Sequence, residues 1–234
     1  MIIFFAKEIQ GDHAFLIDDE ARHCSKVLRK RTGDIIAFTD GKGYFYKGQL
    51  LNVSKDKCKI AILEKNKADE KPYKLSIAIS PVKNPARFEW FVEKAVEIGV
   101  DSIIPLICKR TEKKNIKTSR IQNIIISASK QSLKAKFPAL NPPVSFDEFI
   151  SNVDPQNTFL AHLNEDSVYL GKIEKPEDEI VLLIGPEGDF ADEEISKAID
   201  LGIKPVTLGS SRLRTETAGV VACQIINTVY ELEK

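Results

Sequence analysis

The sequence predicts an α/β protein in two regions: short strands with turn signals over residues 1–71, then strands alternating with helices over residues 72–234. Three observations carry this. Asp40-Gly41-Lys42-Gly43 separates the apolar stretches 35–38 and 44–51, and Asp-Gly in that setting signals a hairpin. Residues 64–72 are polar and end in proline, which reads as a linker. Beyond it, stretches 75–80, 102–107, 158–163, 180–184 and 205–208 are almost wholly apolar and spaced by helical patterns, as in a mostly parallel sheet covered on both faces.

In the first region a helix is predicted from Asp18 or Asp19 to about Arg29, with Ala21, Cys24, Val27 and Leu28 on one face. Strands over 35–38, 44–51 and 57–63 fit a small all-β barrel. Phe45 and Tyr46 could stack on bases there, or simply fill the core. In the second region Asn84 caps a helix whose first turn holds Pro85 and which Gly99 ends. Phe88, Phe91, Val92, Ala95, Val96 and Ile98 form its core stripe; Trp90 falls off that stripe, as if to meet another domain or subunit. A further helix covers 119–133. Asp192, Glu193 and Glu194 read as the N-cap and first turn of another. The last helix, from about Glu216 to Leu232, is apolar on most sides through Val220, Val221, Ile225, Ile226 and Val229, and is expected inside the fold or a subunit interface.

Of the 234 residues, 43% are hydrophobic and 29% charged, as in an ordinary globular protein. No apolar run approaches the roughly 20 residues that span a bilayer, so no membrane role is expected. The first eight residues lack the basic start and length of a signal peptide. Cys24, Cys58, Cys108 and Cys223 show no CxxC spacing, so reduced, buried thiols in a cytoplasmic protein are expected, without metal or disulfides. His13, His23 and His162 adjoin no nucleophile elbow, which argues against a triad hydrolase. The formal net charge of zero hides an asymmetry: residues 72–140 carry 13 Lys/Arg against 5 Asp/Glu, and residues 141–234 carry 7 against 18. A basic part of this kind suits a polyanion. Arg22, His23, Lys26, Arg29 and Arg31 form one basic cluster, and Lys109 and Arg110 open a second.

Two glycine loops each succeed an apolar strand, in residues 185–190 and 208–214. Loops at the carboxyl ends of parallel strands are where open α/β sheets bind ligands, so these two are expected to wall one pocket. Glu187 and Asp189 lie in the first loop, with Asp192, Glu193 and Glu194 just beyond it, and this crowd of carboxylates would repel a pyrophosphate. Neither GxGxxG nor GxxxxGK[ST] occurs. The pocket therefore suits a ligand with hydroxyls or positive charge.

The chain resembles the RsmE-type 16S ribosomal RNA uridine-N3 methyltransferases of the SPOUT superfamily over essentially its whole length. His23, Val27-Leu28-Arg29 and Gly33-Asp34 match the N-terminal signature; Lys94, Glu97-Ile98-Gly99-Val100 and Ile104-Pro105 match the first α/β unit; Gln131-Ser132 and Pro138 match a central motif. Leu183-Ile184-Gly185-Pro186-Glu187-Gly188, with Leu208-Gly209 and Leu213-Arg214-Thr215-Glu216-Thr217-Ala218, match the two cofactor loops. Two departures stand out: Asp189 replaces a glycine, and Lys134 stands where the family has arginine. An aspartate tolerates the left-handed backbone that a glycine there would permit.

The resemblance implies a PUA-like RNA-binding β-barrel over 1–71 and a SPOUT domain with a trefoil knot over 72–234, assembled as a homodimer. It implies S-adenosyl-L-methionine held by Leu183, Ile184, Gly185, Pro186, Glu187, Gly188, Leu208, Gly209, Leu213, Thr215 and Ala218. That cofactor is a cation with ribose hydroxyls and no phosphate, in keeping with the acidic loop. The implied reaction methylates N3 of a uridine in 16S rRNA on the small ribosomal subunit. Arg214, Arg212 and Glu187 are the candidate catalytic residues, and Lys134 joins the RNA-binding candidates. Arg214 and Glu216 could alternatively pin the loop as a structural ion pair. Competing readings are a non-catalytic RNA-binding or ribosome-assembly protein with a vestigial cofactor loop, which Asp189 would favour, and a dinucleotide oxidoreductase, which the missing fingerprint disfavours.

Overall fold

The computed structural model describes residues 2–163, 167–174, 176 and 178–232. The chain forms two compact units, Met1–Glu70 with Ile126–Phe137, and Lys71–Ile125 with Pro138–Lys234.

The first unit is a six-stranded sheet of β1 (Ile3–Phe5), β2 (Glu8–Gln10), β3 (His13–Ile17), β4 (Ile35–Thr39), β5 (Tyr44–Val53) and β6 (Lys57–Lys67), in the order β1-β4-β5-β6-β3-β2. All pairings are antiparallel except β1 with β4. Phe4, Leu16, Phe38, Leu50 and Ile60 fill its core. The β4–β5 hairpin turns where Asp-Gly predicts it: Asp40 Oδ1 accepts from the amides of Lys42 (2.7 Å) and Tyr44 (3.3 Å). Tyr46 is a core residue, stacked on Phe38 at 5.0 Å with its hydroxyl donating to Asp40, so it offers no stacking face for a base.

Two expectations need correction here. The first helix is α1 (Asp18–Arg22) continued by a π-helical turn (His23–Val27), and Arg29 turns left-handed at φ 51°. The wider turn rotates Val27 off the apolar face, leaving it 66% exposed while Ala21 and Cys24 stay buried. Nor is the linker a linker throughout, because residues 64–67 extend β6. Their polarity suits a strand end: Glu64 pairs with Lys47 across β5 at 3.0 Å, and Lys65 sits 4.1 Å over the Tyr44 ring.

The second unit is built on β7 (Lys74–Ile79), β8 (Ser102–Ile107), β11 (Thr158–Ala161), β13 (Glu179–Ile184) and β14 (Lys204–Thr207), the five strands that the sequence predicts. Three two-residue strands, β9 (Ala139–Leu140), β10 (Val144–Ser145) and β12 (Val168–Tyr169), extend the edges; they are too short to show a period. The sheet order is β10-β8-β7-β13-β11-β14-β12 with β9 also on β8, and every pairing is parallel. The carboxyl ends of β13, β11 and β14 therefore lie side by side. α4 (Phe146–Ile150) and a 3-10 turn at Leu170–Lys172 complete the connections.

α2 (Pro85–Ile98) starts as predicted, with Asn84 Oδ1 accepting from Ala86 N at 3.0 Å, and ends at Gly99, φ 122°. Trp90 is 44% exposed on its outer side. α6 (Thr215–Glu231) packs on α2 so tightly that a Cβ added to Gly219 would lie 2.5 Å from the Phe91 ring. Val220, Val221, Ile225 and Val229 are only half-buried, and Ile226 is fully buried. α3 (Thr118–Gln131) begins in the second unit, but its C-terminal part belongs to the first. There Thr39 Oγ1 donates to Ala135 O at 3.0 Å, Lys130 pairs with Glu20, and Phe137 meets Phe5 at 5.0 Å. These partners are distant in sequence, so composition alone does not assign that segment.

Candidate functional site

The three adjacent strand ends open on a cavity of about 600 Å³ within the second unit. Both glycine loops wall it, as the sequence predicts. A third wall comes from Ala161, His162 and Leu163 after β11, and Arg87 of α2 adds a fourth contribution.

The loop after β13 is fixed on every side. Thr215 Oγ1 donates to Gly185 O at 3.0 Å, and a Cβ at Gly185 would press on Phe190 at 3.1 Å. Lys83 N donates to Glu187 Oε1 at 2.8 Å. Arg110 Nη1 reaches Gly188 O (2.9 Å) and Phe190 O (3.0 Å). Asp189 takes the left-handed conformation at φ 63° and its amide donates to Pro186 O at 2.9 Å, so replacement of glycine leaves the turn intact. Its Oδ1 accepts from Phe190 N at 2.7 Å, and its Oδ2 lies 2.9 Å from His162 Nδ1.

Behind this loop runs α5 (Asp192–Asp200). Its N-cap is Ala191 rather than Asp192, because buried Glu194 supplies the cap from within: its carboxylate accepts from Ala191 N and Lys109 N, each at 2.8 Å. Asp192 and Glu193 are exposed on the first turn. Lys109 Nζ pairs with Glu193, so both Lys109 and Arg110 brace the acidic segment.

The loop after β14 is held differently. Thr207 Oγ1 accepts from Gly209 N (3.2 Å) and donates to Gly209 O (2.8 Å), and Gly209 sits at φ 140°. Leu208 and Leu213 are half-buried walls, while Arg212 and Arg214 are exposed at the rim. Arg214 makes no ion pair with Glu216; Arg87 approaches it instead at 3.7 Å. The Glu216 side chain is 8% exposed, and its Oε2 has no hydrogen-bond partner among the described residues. A buried carboxylate oxygen without a hydrogen bond is costly, and Glu216 is among the residues that line the cavity.

Of the predicted site residues, Ile184, Gly185, Pro186, Glu187, Leu208, Gly209, Arg212, Leu213, Arg214, Thr215 and Ala218 all line this cavity. Leu183 is fully buried in the sheet, and Gly188 lies against Arg110. Arg22, His23, Lys26, Arg29, Arg31 and Lys134 belong to the first unit. Arg22 pairs with Asp19 at 2.8 Å and His23 rests on Phe4 at 5.8 Å, while Lys26, Arg29 and Arg31 are exposed. Sequence reasoning missed His162, Arg87 and the burial of Glu216 beside the cavity. For His162 a signal existed, since it is the one ionisable residue in the apolar stretch 158–163.

Three carboxylates (Glu187, Asp189, Glu216) and three guanidinium groups (Arg87, Arg212, Arg214) line the cavity. This mixed lining fits a cationic, hydroxyl-bearing ligand beside a negatively charged one. Among the described residues no group of three or more His, Cys, Asp or Glu is placed to hold a metal ion. No described helix is long and apolar enough to cross a membrane.

Residues 69–227 match the family model of the RNA methyltransferase domain, and residues 16–63 match that of the RNA methyltransferase PUA domain. Fold and site thus define an RNA methyltransferase with a PUA-like β unit. A ribosomal RNA small subunit methyltransferase E of Synechocystis is 32% identical over 222 residues, spanning 91% of this chain and 72% of the relative. The same enzyme of Neisseria gonorrhoeae, solved bound to S-adenosyl methionine, is 30% identical with a TM-score of 0.88, over 97% of each chain. A solved chain from Porphyromonas gingivalis is 37% identical with a TM-score of 0.91, over 100% of each. The chain belongs to the ribosomal RNA small subunit methyltransferase E family.

Proposed function

We propose that this protein transfers the methyl group of S-adenosylmethionine to N3 of a specific uridine in 16S rRNA, on the assembled small subunit in the cytoplasm. The supporting observation is the cavity beside three parallel strand ends, lined by the carboxylates of Glu187, Asp189 and Glu216. A sulfonium cation with a ribose is the kind of ligand such a lining accommodates.

When bound, the cofactor supplies an electrophilic methyl group. The rest falls to the protein. Ile184, Leu208, Leu213 and Ala218 offer apolar walls to an adenine, and the backbone of Gly185, Pro186 and Gly209 offers hydrogen bonds. Leu183, buried in the sheet, supports that wall from behind, and exposed Gly188 completes the loop. Glu187, anchored through one oxygen by Lys83 N, has its other oxygen for a ribose hydroxyl. Thr215 holds the loop at Gly185 O. Arg214 and Arg212, exposed at the rim, stabilise the uridine anion that forms as N3 loses its proton. Alignment of N3 with the methyl group contributes through positioning. Arg22, His23, Lys26, Arg29, Arg31 and Lys134 on the PUA-like unit meet the phosphate backbone, while Lys109 and Arg110 brace the acidic segment.

In this reading the chain is threaded as a trefoil knot and works as a homodimer. The half-buried apolar residues of α6 and exposed Trp90 offer surface for a second copy, and light scattering tests it. The decisive experiment incubates the protein and labelled cofactor with unmodified small subunits or naked 16S rRNA. Mass spectrometry should then find one N3-methyluridine, on the particle. No methyl incorporation into either substrate refutes the proposal.

A further inference from the structure

We propose that His162 is the base that removes the N3 proton of the target uridine, and that Asp189 is the positioning residue that holds it ready. This assignment rests on the functional reading above and names the group that reading lacks. His162 comes directly after β11, lines the cavity, and has a side chain only 19% exposed. Its Nδ1 lies 2.9 Å from Asp189 Oδ2. An ionised carboxylate only accepts hydrogen bonds, so Nδ1 carries the hydrogen and the neutral ring keeps its lone pair on Nε2. A base oriented by a carboxylate on its far nitrogen is a recurrent catalytic arrangement.

Asp189 is well placed to act as that carboxylate. Its left-handed backbone brings the side chain back over the loop, and Oδ1 is tied to Phe190 N at 2.7 Å while Oδ2 faces His162. The other carboxylates on the cavity are less suitable as bases. Glu187 is exposed and engaged by Lys83 N, and Glu216 is buried beside Arg87. Arg212 and Arg214 complete the charged groups on the cavity and complement the anion rather than take its proton.

The step balances simply. The N3–H bond breaks and its proton goes to Nε2, while the N3 lone pair forms the bond to the methyl carbon. The C–S bonding pair returns to sulfur, which becomes a neutral thioether. The imidazolium then releases its proton to water. Removing a general base of this type costs about 10²–10⁴-fold in rate.

Three variants test the assignment: His162→Gln, Asp189→Asn and Asp189→Gly, the last keeping the turn because glycine accepts φ 63° freely. Methyl transfer is measured against pH, cofactor affinity by calorimetry, and the His162 ring by nitrogen NMR in cofactor-free protein. His162→Gln should lose about 10²–10⁴-fold in turnover with cofactor affinity within a few-fold. Both Asp189 variants should lower kcat more than they change KM, move the acidic limb of the pH profile, and mix the ring tautomers, which NMR should find fixed with Nδ1–H in the unaltered protein. Unchanged turnover in His162→Gln overturns the assignment, and so does an equal loss of turnover and cofactor affinity. An unaltered protein that methylates neither small subunits nor rRNA overturns the functional reading itself, and the assignment with it.

Discussion

The two walls of the cavity are built on opposite principles. The acidic wall, residues 185–190, is tied to α6 through Thr215, to the chain before α2 through Lys83, to the segment after β8 through Arg110, and to the end of β11 through His162. The basic wall, residues 208–214, is secured among the described residues mainly by the local bonds of Thr207 with Gly209 and by Ala218 N donating to Arg214 O at 2.7 Å. A wall fixed on every side loses little entropy when it orients a ligand. A wall whose two arginines stand exposed is available to a second, larger partner. In the proposed reading both walls hold the cofactor, and the exposed arginines of the second add RNA engagement.

The comparison can be broken first at Arg214. Arg214→Ala should lower methyl transfer by roughly 10²–10³-fold, the loss typical of one charge-stabilising donor, while cofactor affinity stays within a few-fold. An equal loss in both measurements would place Arg214 on the cofactor side. The next test lies behind both walls. In Gly219→Ala the new methyl would sit 2.5 Å from Phe91 Cε2, and overpacking of this kind costs about 1–3 kcal/mol. Its melting temperature should fall by several degrees, with activity per folded molecule preserved at low temperature.

Arg110→Ala then probes the held wall. It removes two charged hydrogen bonds to loop carbonyls from a half-exposed side chain, so about 1 kcal/mol is expected. Calorimetry should show a several-fold weaker cofactor with little change in kcat at saturation; unchanged affinity would mean the wall does not depend on its brace.

The smallest effect is alkaline. Cys108 shares a buried cluster with Leu183 and Phe190 behind the held wall, and burial, then the nearby Glu194 carboxylate, pushes its thiol well above the ordinary 9.0. Burial likewise pushes Cys24 and Cys223 up to about 12. The folded state thus keeps protons that the unfolded chain releases above about pH 9. Stability from these thiols is full below that pH and is lost as pH rises from 9 towards 12. Melting temperatures measured between about pH 8 and 11 should fall in the upper half of that range, and a flat curve would contradict it.

Much of this was legible in one dimension. Apolar runs located all five central strands, Asn84-Pro85 and Gly99 bounded α2, and Asp40-Gly41 marked the hairpin, because caps, turns and periods act over a few residues. The two loops were legible because strand ends in a parallel sheet share one edge. The π turn that expels Val27 was not, nor was the strand character of residues 64–67, which depends on pairing with β5. What the sequence determined by itself was the set of elements, the two loops that wall the pocket and the acidic character of the first. Tertiary structure alone decided which charges meet. His162 finds Asp189 across 27 residues, and Arg87 rather than Arg214 approaches Glu216, because sheet order and helix packing fix those distances and no local preference encodes them.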